Sequence, residues 1–372
     1  MSYVGVVNTI NVEDAVIFDL GGGSTEVILV RKRKLIDSVS LPIGCVNLTK
    51  QSRQGSMRGR EDMKTMQKLI AEQMKKRLAN WLRTAPCRRR WYGPFHWESG
   101  RKADQVLTAK LHNFQFDIAD FAIWYKGLLS TPPGMRRRIP GLSSDRADVI
   151  VAGSSIIKAL ADKCNSKKLI ISGCGLREGL FCEYRHQHEN MPLITPNILE
   201  TSRNDMIHQY VPDEEHARLV ARFALRIFDG WKRFHKLPEK RWRDLVETAA
   251  LLHDTGITIN YYNHTRHSGY IIENARLFGM SHMDIVFASI IAAWHHGVNR
   301  SYLRNKPYRK LITDKDIEDL TRAAVIVAIA ESLDHPHMGD ILDVEARDLD
   351  EAAQLTLIAR KDPLIEMKQL NA

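Results

Sequence analysis

Apolar and polar positions recur with two different periods along the chain, and the change of period divides it. Ala15–Asp19 is a short apolar run ahead of glycines, Thr25–Val30 is rich in β-branched residues, and Lys34–Leu41 alternates, so this stretch predicts three short strands in a meander. Residues 61–82 read as an amphipathic helix, and Asp145–Lys163 predicts a second one, with Val149, Ile150, Ile156, Ile157 and Leu160 at helical spacing. Lys168–Ser172 has the unbroken apolar character of a buried strand; it ends in Gly-Cys-Gly and leads into a short helix, Leu176–Tyr184. The two prolines within Met191–Asn197 predict a linker. From Ile198 onward the period is helical, in Glu214–Asp229, Trp242–Leu252, Ser268–Leu277, Asp284–Trp294 and Lys315–Leu333, and no strand signal of similar strength is expected there. The pattern therefore predicts an α/β domain over 1–190, a linker at 191–197 and an all-α domain over 198–372, with no internal repeat.

Composition narrows the class. A chain of 372 residues has room for two or three cores, and 44% hydrophobic with 26% charged residues excludes a disordered or fibrous protein. No run of 18 apolar residues occurs, so no membrane span is expected, and Met1–Val16 lacks the basic, apolar and small-residue zones of a secretory signal, which predicts a cytoplasmic protein. Cys45, Cys87, Cys164, Cys174 and Cys182 are scattered without a C-x-x-C pair, which argues against disulfides and a structural zinc and for reduced thiols. The net charge of +10 suits an anionic partner, but charge alone does not separate nucleic acid from phosphate esters or polyphosphate.

Chemistry concentrates first in Val16-Ile-Phe-Asp19-Leu-Gly21-Gly22-Gly23-Ser24-Thr25-Glu26, a strand that delivers an acid, three glycines, a hydroxyl and a second acid. Consecutive glycines allow positive φ and close approach of backbone N–H groups to phosphate oxygens. Asp19 and Glu26 can hold a hard divalent cation or orient a water, and Ser24 can donate to a phosphate. The motif is not a dinucleotide fingerprint, because Glu26 stands where the third glycine belongs, and no P-loop lysine follows. A glycine-rich hairpin turn with an acid beside it by chance is the plainer alternative.

Together with Ser40-Leu-Pro-Ile-Gly44-Cys-Val-Asn-Leu48, Arg146-Ala-Asp-Val-Ile-Val-Ala-Gly153 and Gly175-Leu-Arg177-Glu-Gly179, the motif resembles the exopolyphosphatase and guanosine pentaphosphate phosphohydrolase (Ppx/GppA) family over most of the chain. The resemblance implies an actin-like (ribonuclease H-like) ATPase fold and magnesium-dependent removal of terminal phosphate from polyphosphate or guanosine pentaphosphate (pppGpp). It further implies that Asp19, Gly21, Gly22, Gly23, Ser24 and Glu26 form the second phosphate loop and metal site, with Asp19 and Glu26 catalytic, that Arg177 is structural or sits behind the site, and that the protein is a homodimer. The family's first phosphate loop and its glutamate base precede a Tyr-x-Gly-Val-like stretch, which here is Tyr3-Val-Gly-Val; the resemblance thus implies that only the second lobe is present, with weakened activity.

A second departure from the family lies at Cys87–Lys110, where a strand and Gly-Gly-Thr are expected but CRRRWYGPFHWESGRKADQVLTAK stands, without apolar periodicity. Shifted by one base, codons CGG-TGG-TAC-GGN for Arg90–Gly93 read GGT-GGT-ACG, Gly-Gly-Thr, so a local frameshift accounts for the segment; a divergent basic loop is the alternative. Arg88, Arg89, Arg90, Arg101, Lys102 and Lys110 against Glu98 and Asp104 leave +4 in this segment alone, and with no recognised binding motif beside it no nucleic-acid partner is expected.

The helical half carries its own constellation. His216, the adjacent His253-Asp254 at the end of an apolar helix, and Asp334 after Ala328-Ile-Ala-Glu-Ser-Leu occur in the order H, HD, D, which resembles the HD phosphohydrolase superfamily. That resemblance implies an HD-like bundle in which His216, His253, Asp254 and Asp334 hold a divalent metal, and His264, His267, His295 and His296 can extend the site. Mixed nitrogen and oxygen donors suit manganese, iron, magnesium or zinc alike. A helix cap, a core hydrogen bond or a domain that only binds substrate would use the same residues. Three functions follow: phosphoanhydride hydrolysis at the glycine motif, metal-dependent nucleotide phosphohydrolysis at the helical motif, or a non-catalytic phosphate-binding remnant.

Overall fold

In a computed structural model the described residues are 1–52, 60–78, 90–93, 112–140, 142–350 and 352–360, and they form two compact units, Met1–Pro196 and Asn197–Ala372. The first is built on a six-stranded sheet. Strands β1 (Ala15–Leu20), β2 (Thr25–Arg31) and β3 (Lys34–Leu41) form the predicted antiparallel meander, and the sheet continues through β4 (Arg90–Gly93), β5 (Gln115–Asp117) and β6 (Lys168–Ile171) in the order β3-β2-β1-β4-β6-β5. β4 runs parallel to both β1 and β6 at the sheet centre. A strand therefore forms where no apolar periodicity announced one; the rest of the 87–110 segment read as frameshifted lies outside the described residues.

The period of two along β1 and β2 sorts their side chains into two layers. Val16, Phe18, Val27 and Leu29 pack against Met66, Ile70, Phe121, Ile156 and Leu160, whereas Ala15, Ile17, Ile28 and Val30 pack against Val4, Val7 and Ile10. The helices of this unit are α1 (Ser2–Val7), α2 (Cys45–Ser52), α3 (Arg60–Leu78), α4 (Ile118–Ser130), α5 (Pro133–Arg136), α6 (Ile150–Lys163) and α7 (Leu176–His188). α1 fits closely against α7 because Gly5 and Gly179 lack side chains: a Cβ on Gly179 would fall 2.1 Å from the Met1 carbonyl oxygen. Residues 191–196, read as a linker, belong to this unit. Asn8 fixes them, its amide donating to the Leu193 carbonyl at 2.8 Å and its oxygen accepting the Thr195 N–H at 2.9 Å.

The second unit contains α8 (Ile198–Tyr210), α9 (Glu214–Gly230), α10 (Lys232–His235), α11 (Glu239–Leu252), α12 (His264–Asn274), α13 (His282–Ala293) and α14 (Asp314–Ser332). Caps set their starts: Asp213 accepts the His216 N–H, Ser281 the Asp284 N–H, and Thr313 with Asp316 closes a capping box. α9 buries one stripe, His216, Ala217, Val220, Phe223, Ala224 and Ile227, while α13 is buried continuously from Ile285 to Ala293. The expectation of no strands fails here. β7 (Ile341–Asp348) pairs with β8 (Ala353–Ala359) in an antiparallel hairpin. Its charged residues hid it in the sequence; in the fold they anchor it, with Arg222 bonded to the Leu342 carbonyl and Arg226 to Asp343.

Candidate functional site

Two clusters, one in each unit, gather the residues singled out in the sequence. In the first, Asp19 and Glu26 are direct partners in the β1–β2 ladder, and Glu26 is paired with Ser40 across β2–β3. Directly opposed residues of an antiparallel pair project to one face, so both carboxylates lie on the same side of the sheet. Ser2 at the start of α1 donates to Asp19 Oδ2 at 2.8 Å, and Ser24 donates to Glu26 Oε1 at 2.6 Å, with Ser40 at 3.2 Å from the same oxygen. Ser24 thus orients Glu26, where the sequence reading made it a phosphate donor.

The three glycines act through close approach, and not through positive φ: none of Gly21, Gly22 and Gly23 occupies the left-handed region. The Gly21 carbonyl accepts the Cys45 N–H, the Gly22 carbonyl accepts those of Val46 and Asn47, and the Asn47 amide donates to the Gly23 carbonyl. The start of α2 is therefore bonded to the turn. This contact demands Gly44, whose Cβ would lie 2.4 Å from the Gly22 carbonyl carbon. Gly22 and Gly23 themselves are exposed, and a Cβ on Gly23 would meet nothing within 4 Å, so a ligand can reach that backbone. Asp19 and Glu26 offer only oxygen donors, and among the described residues no third carboxylate, imidazole or thiol joins them. That set fits magnesium, which binds through one or two carboxylates and keeps most of its waters. Arg177 projects into solvent at the start of α7, its nearest acid Glu178 at 3.9 Å.

The second cluster is assembled from helix ends. His253 and Asp254 follow α11, His295 and His296 follow α13, Asp334 follows α14, and His216 and His264 stand in the first turns of α9 and α12. Gly256 permits the crossing of α12 beside the His-Asp pair, because a Cβ there would fall 2.1 Å from the His264 carbonyl oxygen. Each imidazole is fixed by its Nδ1. His253 donates to the Ala250 carbonyl at 2.7 Å, His264 to Tyr261 at 2.9 Å, His295 to Ala292 at 2.6 Å, and His216 to Asp334 Oδ2 at 2.8 Å. These partners only accept, so Nδ1 carries the proton and each neutral ring presents an Nε2 lone pair. The four Nε2 atoms converge: His216 lies 3.3 Å from His253, and His264 lies 3.2 Å from His295.

Asp254 sits among them, with Oδ2 3.5 Å from His253 and 3.9 Å from His216, and Oδ1 3.3 Å from His264 and 3.8 Å from His295. His253 and His295 are essentially inaccessible, and Asp254 and Asp334 are buried. Burial pushes the His253 pKa down despite Asp254, and holds His295 well below the ordinary imidazole range, reinforced by His253 and His296. Among the described residues the ionic partners of Asp254 and Asp334 are imidazoles, with no lysine or arginine. Buried carboxylates facing lone pairs are costly without a cation, and the negative ends of α11, α13 and α14 favour one here. The donor chemistry therefore fits a divalent metal held by nitrogen and oxygen, and three donor groups meet the spacing: His216 with His253 and Asp254, His264 with His295 and His296, and His296 with Glu331 and His335.

Asp334, expected as a ligand, is placed behind His216 instead: its Oδ2 takes the His216 proton and its Oδ1 the Gly339 N–H at 2.8 Å. His267 is in none of the donor groups. Sequence reading overlooked Glu331 and His335, paired at 2.7 Å, although Glu331 lies in the segment that drew attention to Asp334. Burial alone would raise the Glu331 pKa, but His296 and His335 hold it far below the usual carboxylate value, and Glu331 in turn raises that of His296. Ser2 was also missed; its hydroxyl reaches Asp19 only because α1 folds back on the sheet.

Comparison with known proteins places these clusters in context. Residues 1–188 match the Ppx/GppA phosphatase family, and residues 198–372 match Ppx/GppA phosphatase, domain III. A guanosine-5'-triphosphate,3'-diphosphate pyrophosphatase of Pseudoalteromonas translucida is 25% identical over 301 residues, which are 79% of this chain and 57% of that protein, so the chain spans little more than half of this relative. The crystal structure of the Aquifex aeolicus member of the Ppx/GppA family is 24% identical, with a TM-score of 0.43 over 51% of this chain and 62% of that one. An exopolyphosphatase from Cytophaga hutchinsonii is 17% identical, with a TM-score of 0.42 over 52% and 63% of the two chains.

Proposed function

This chain belongs to the Ppx/GppA phosphatase family, and from that membership we propose that it hydrolyses the terminal phosphoanhydride of a pppGpp-type nucleotide or of polyphosphate at the glycine turn. In this reading the first unit is the second lobe of an actin-like fold. The carrying observation is the register that sets Asp19 opposite Glu26 on one face beside the open backbone of Gly22 and Gly23. Asp19 and Glu26 would hold magnesium, which when bound supplies neutralisation of charge on the phosphoryl oxygens. The chain's own residues do the rest: Ser2 and Ser24 fix the two carboxylates, and the exposed Gly22–Gly23 backbone admits the phosphate. The name of the Pseudoalteromonas relative supports the nucleotide as substrate.

Phosphate release from pppGpp and from polyphosphate, measured for wild type, Asp19→Ala and Glu26→Ala, tests this. Each substitution should lower kcat/KM by roughly 100-fold or more, a loss of about 3 kcal/mol in transition-state stabilisation. Full activity in either variant, or none in the wild type with both substrates, overturns the proposal.

The four locked imidazoles around Asp254 favour a second reading, that the second unit is an HD-like metal-dependent phosphohydrolase centre with a cation on His216, His253 and Asp254. Metal analysis of the purified full chain should find bound transition metal that His253→Ala loses; a metal-free wild type defeats this reading.

A further inference from the structure

We infer that the second unit holds two divalent cations, the additional one on His264, His295 and His296, with the Asp254 carboxylate bridging it to the first. This rests on the second reading above and extends it to a site on different helices. The argument starts from tautomers. The Nδ1 protons of His264 and His295 are committed to the Tyr261 and Ala292 carbonyls, so their Nε2 lone pairs face each other at 3.2 Å with Asp254 Oδ1 3.3 and 3.8 Å away. Three acceptors at this spacing, with no donor among them, repel unless a cation lies between them. The same holds separately for His216, His253 and Asp254 Oδ2. One carboxylate thus puts one oxygen into each set, the geometry of a bridging ligand.

The two positions differ in access. His216, His253 and Asp254 are all buried, whereas His296 is exposed and leaves the second position open towards solvent. The outer ion should therefore bind more weakly, exchange faster and retain coordination sites for oxygens of a phosphoryl group, which two-ion centres clamp. Nitrogen-rich donors select manganese, iron, cobalt or zinc over magnesium.

Titration of metal-stripped full chain with manganese, followed by equilibrium dialysis and electron paramagnetic resonance, tests this. An Asp19→Asn, Glu26→Gln background removes the carboxylates of the glycine turn from the count. Two ions should bind, and the second equivalent should convert an isolated-ion spectrum into that of a spin-coupled pair. His264→Gln with His295→Gln should leave one ion and no coupled spectrum. Because those side chains are buried, His296→Gln at the exposed edge serves as the independent variant: it should weaken the second Kd by 10-fold or more and leave the first within 2-fold. A single ion in the background protein, two ions without coupling, or an unchanged second Kd in His296→Gln overturns the inference and leaves the one-ion reading standing; no bound ion overturns both.

Discussion

The glycine turn and the histidine cluster solve the problem of holding a cation in opposite ways. The turn presents two carboxylates from neighbouring strands, fixed by serine hydroxyls and close to solvent, whereas the cluster buries four imidazoles drawn from residues 216 to 295 around one aspartate. A hard, strongly hydrated ion needs little from the protein beyond oxygen and space. A dehydrated ion with nitrogen ligands needs its rings fixed in one tautomer, and here every Nδ1 is fixed by a carbonyl or by Asp334. Local register suffices for the first site; the second exists only if several helix ends meet.

The difference can be broken most severely at glycines. Gly256→Ala puts a methyl group 2.1 Å from the His264 carbonyl oxygen and should cost about 3 kcal/mol or more in urea unfolding while abolishing tight metal binding. Gly23→Ala meets nothing within 4 Å and should change stability by about 0.5 kcal/mol at most, any loss appearing only in phosphate release. Equal destabilisation by the two would contradict the contrast. Next in size, Asp334→Asn removes the charge that sets His216 and should weaken metal affinity by about 10- to 100-fold with the fold kept, readable by competition with a chelating dye.

The smallest effect concerns pH. His235 donates from Nε2 to the Phe228 carbonyl and accepts the Leu237 N–H at Nδ1, so the neutral ring is built in and burial lowers its pKa below the ordinary 6.5. A depressed imidazole pKa means that the unfolded chain binds the extra proton first; the stability it confers is present above about pH 6.5 and lost as the pH falls below it. Urea unfolding at pH 7.5 and 5.5 should show a steeper loss in the wild type than in His235→Phe, and parallel losses would refute this.

How much was legible follows from the same contrast. The meander, both chemical motifs and the change from mixed to helical period were readable because local spacing encodes them. Asp19 and Glu26 are seven positions apart, and a tight hairpin places them opposite each other. Ser2, Glu331 and His335 were not readable, since they become neighbours of the sites only through helix docking. Asp334 had the right type for a ligand, and only geometry shows its oxygens taken by His216 and Gly339. The 341–359 hairpin and strand 90–93 escaped because charged sequence masked β structure that pairing partners impose.

The central claim is that phosphoryl chemistry belongs to the glycine turn. Anomalous diffraction from crystals grown with manganese and pyrophosphate tests it most directly: the account predicts a manganese peak between the Asp19 and Glu26 carboxylates with the anion against Gly22 and Gly23. Pyrophosphate bound only at the histidine cluster, with no cation at Asp19 and Glu26, would contradict it.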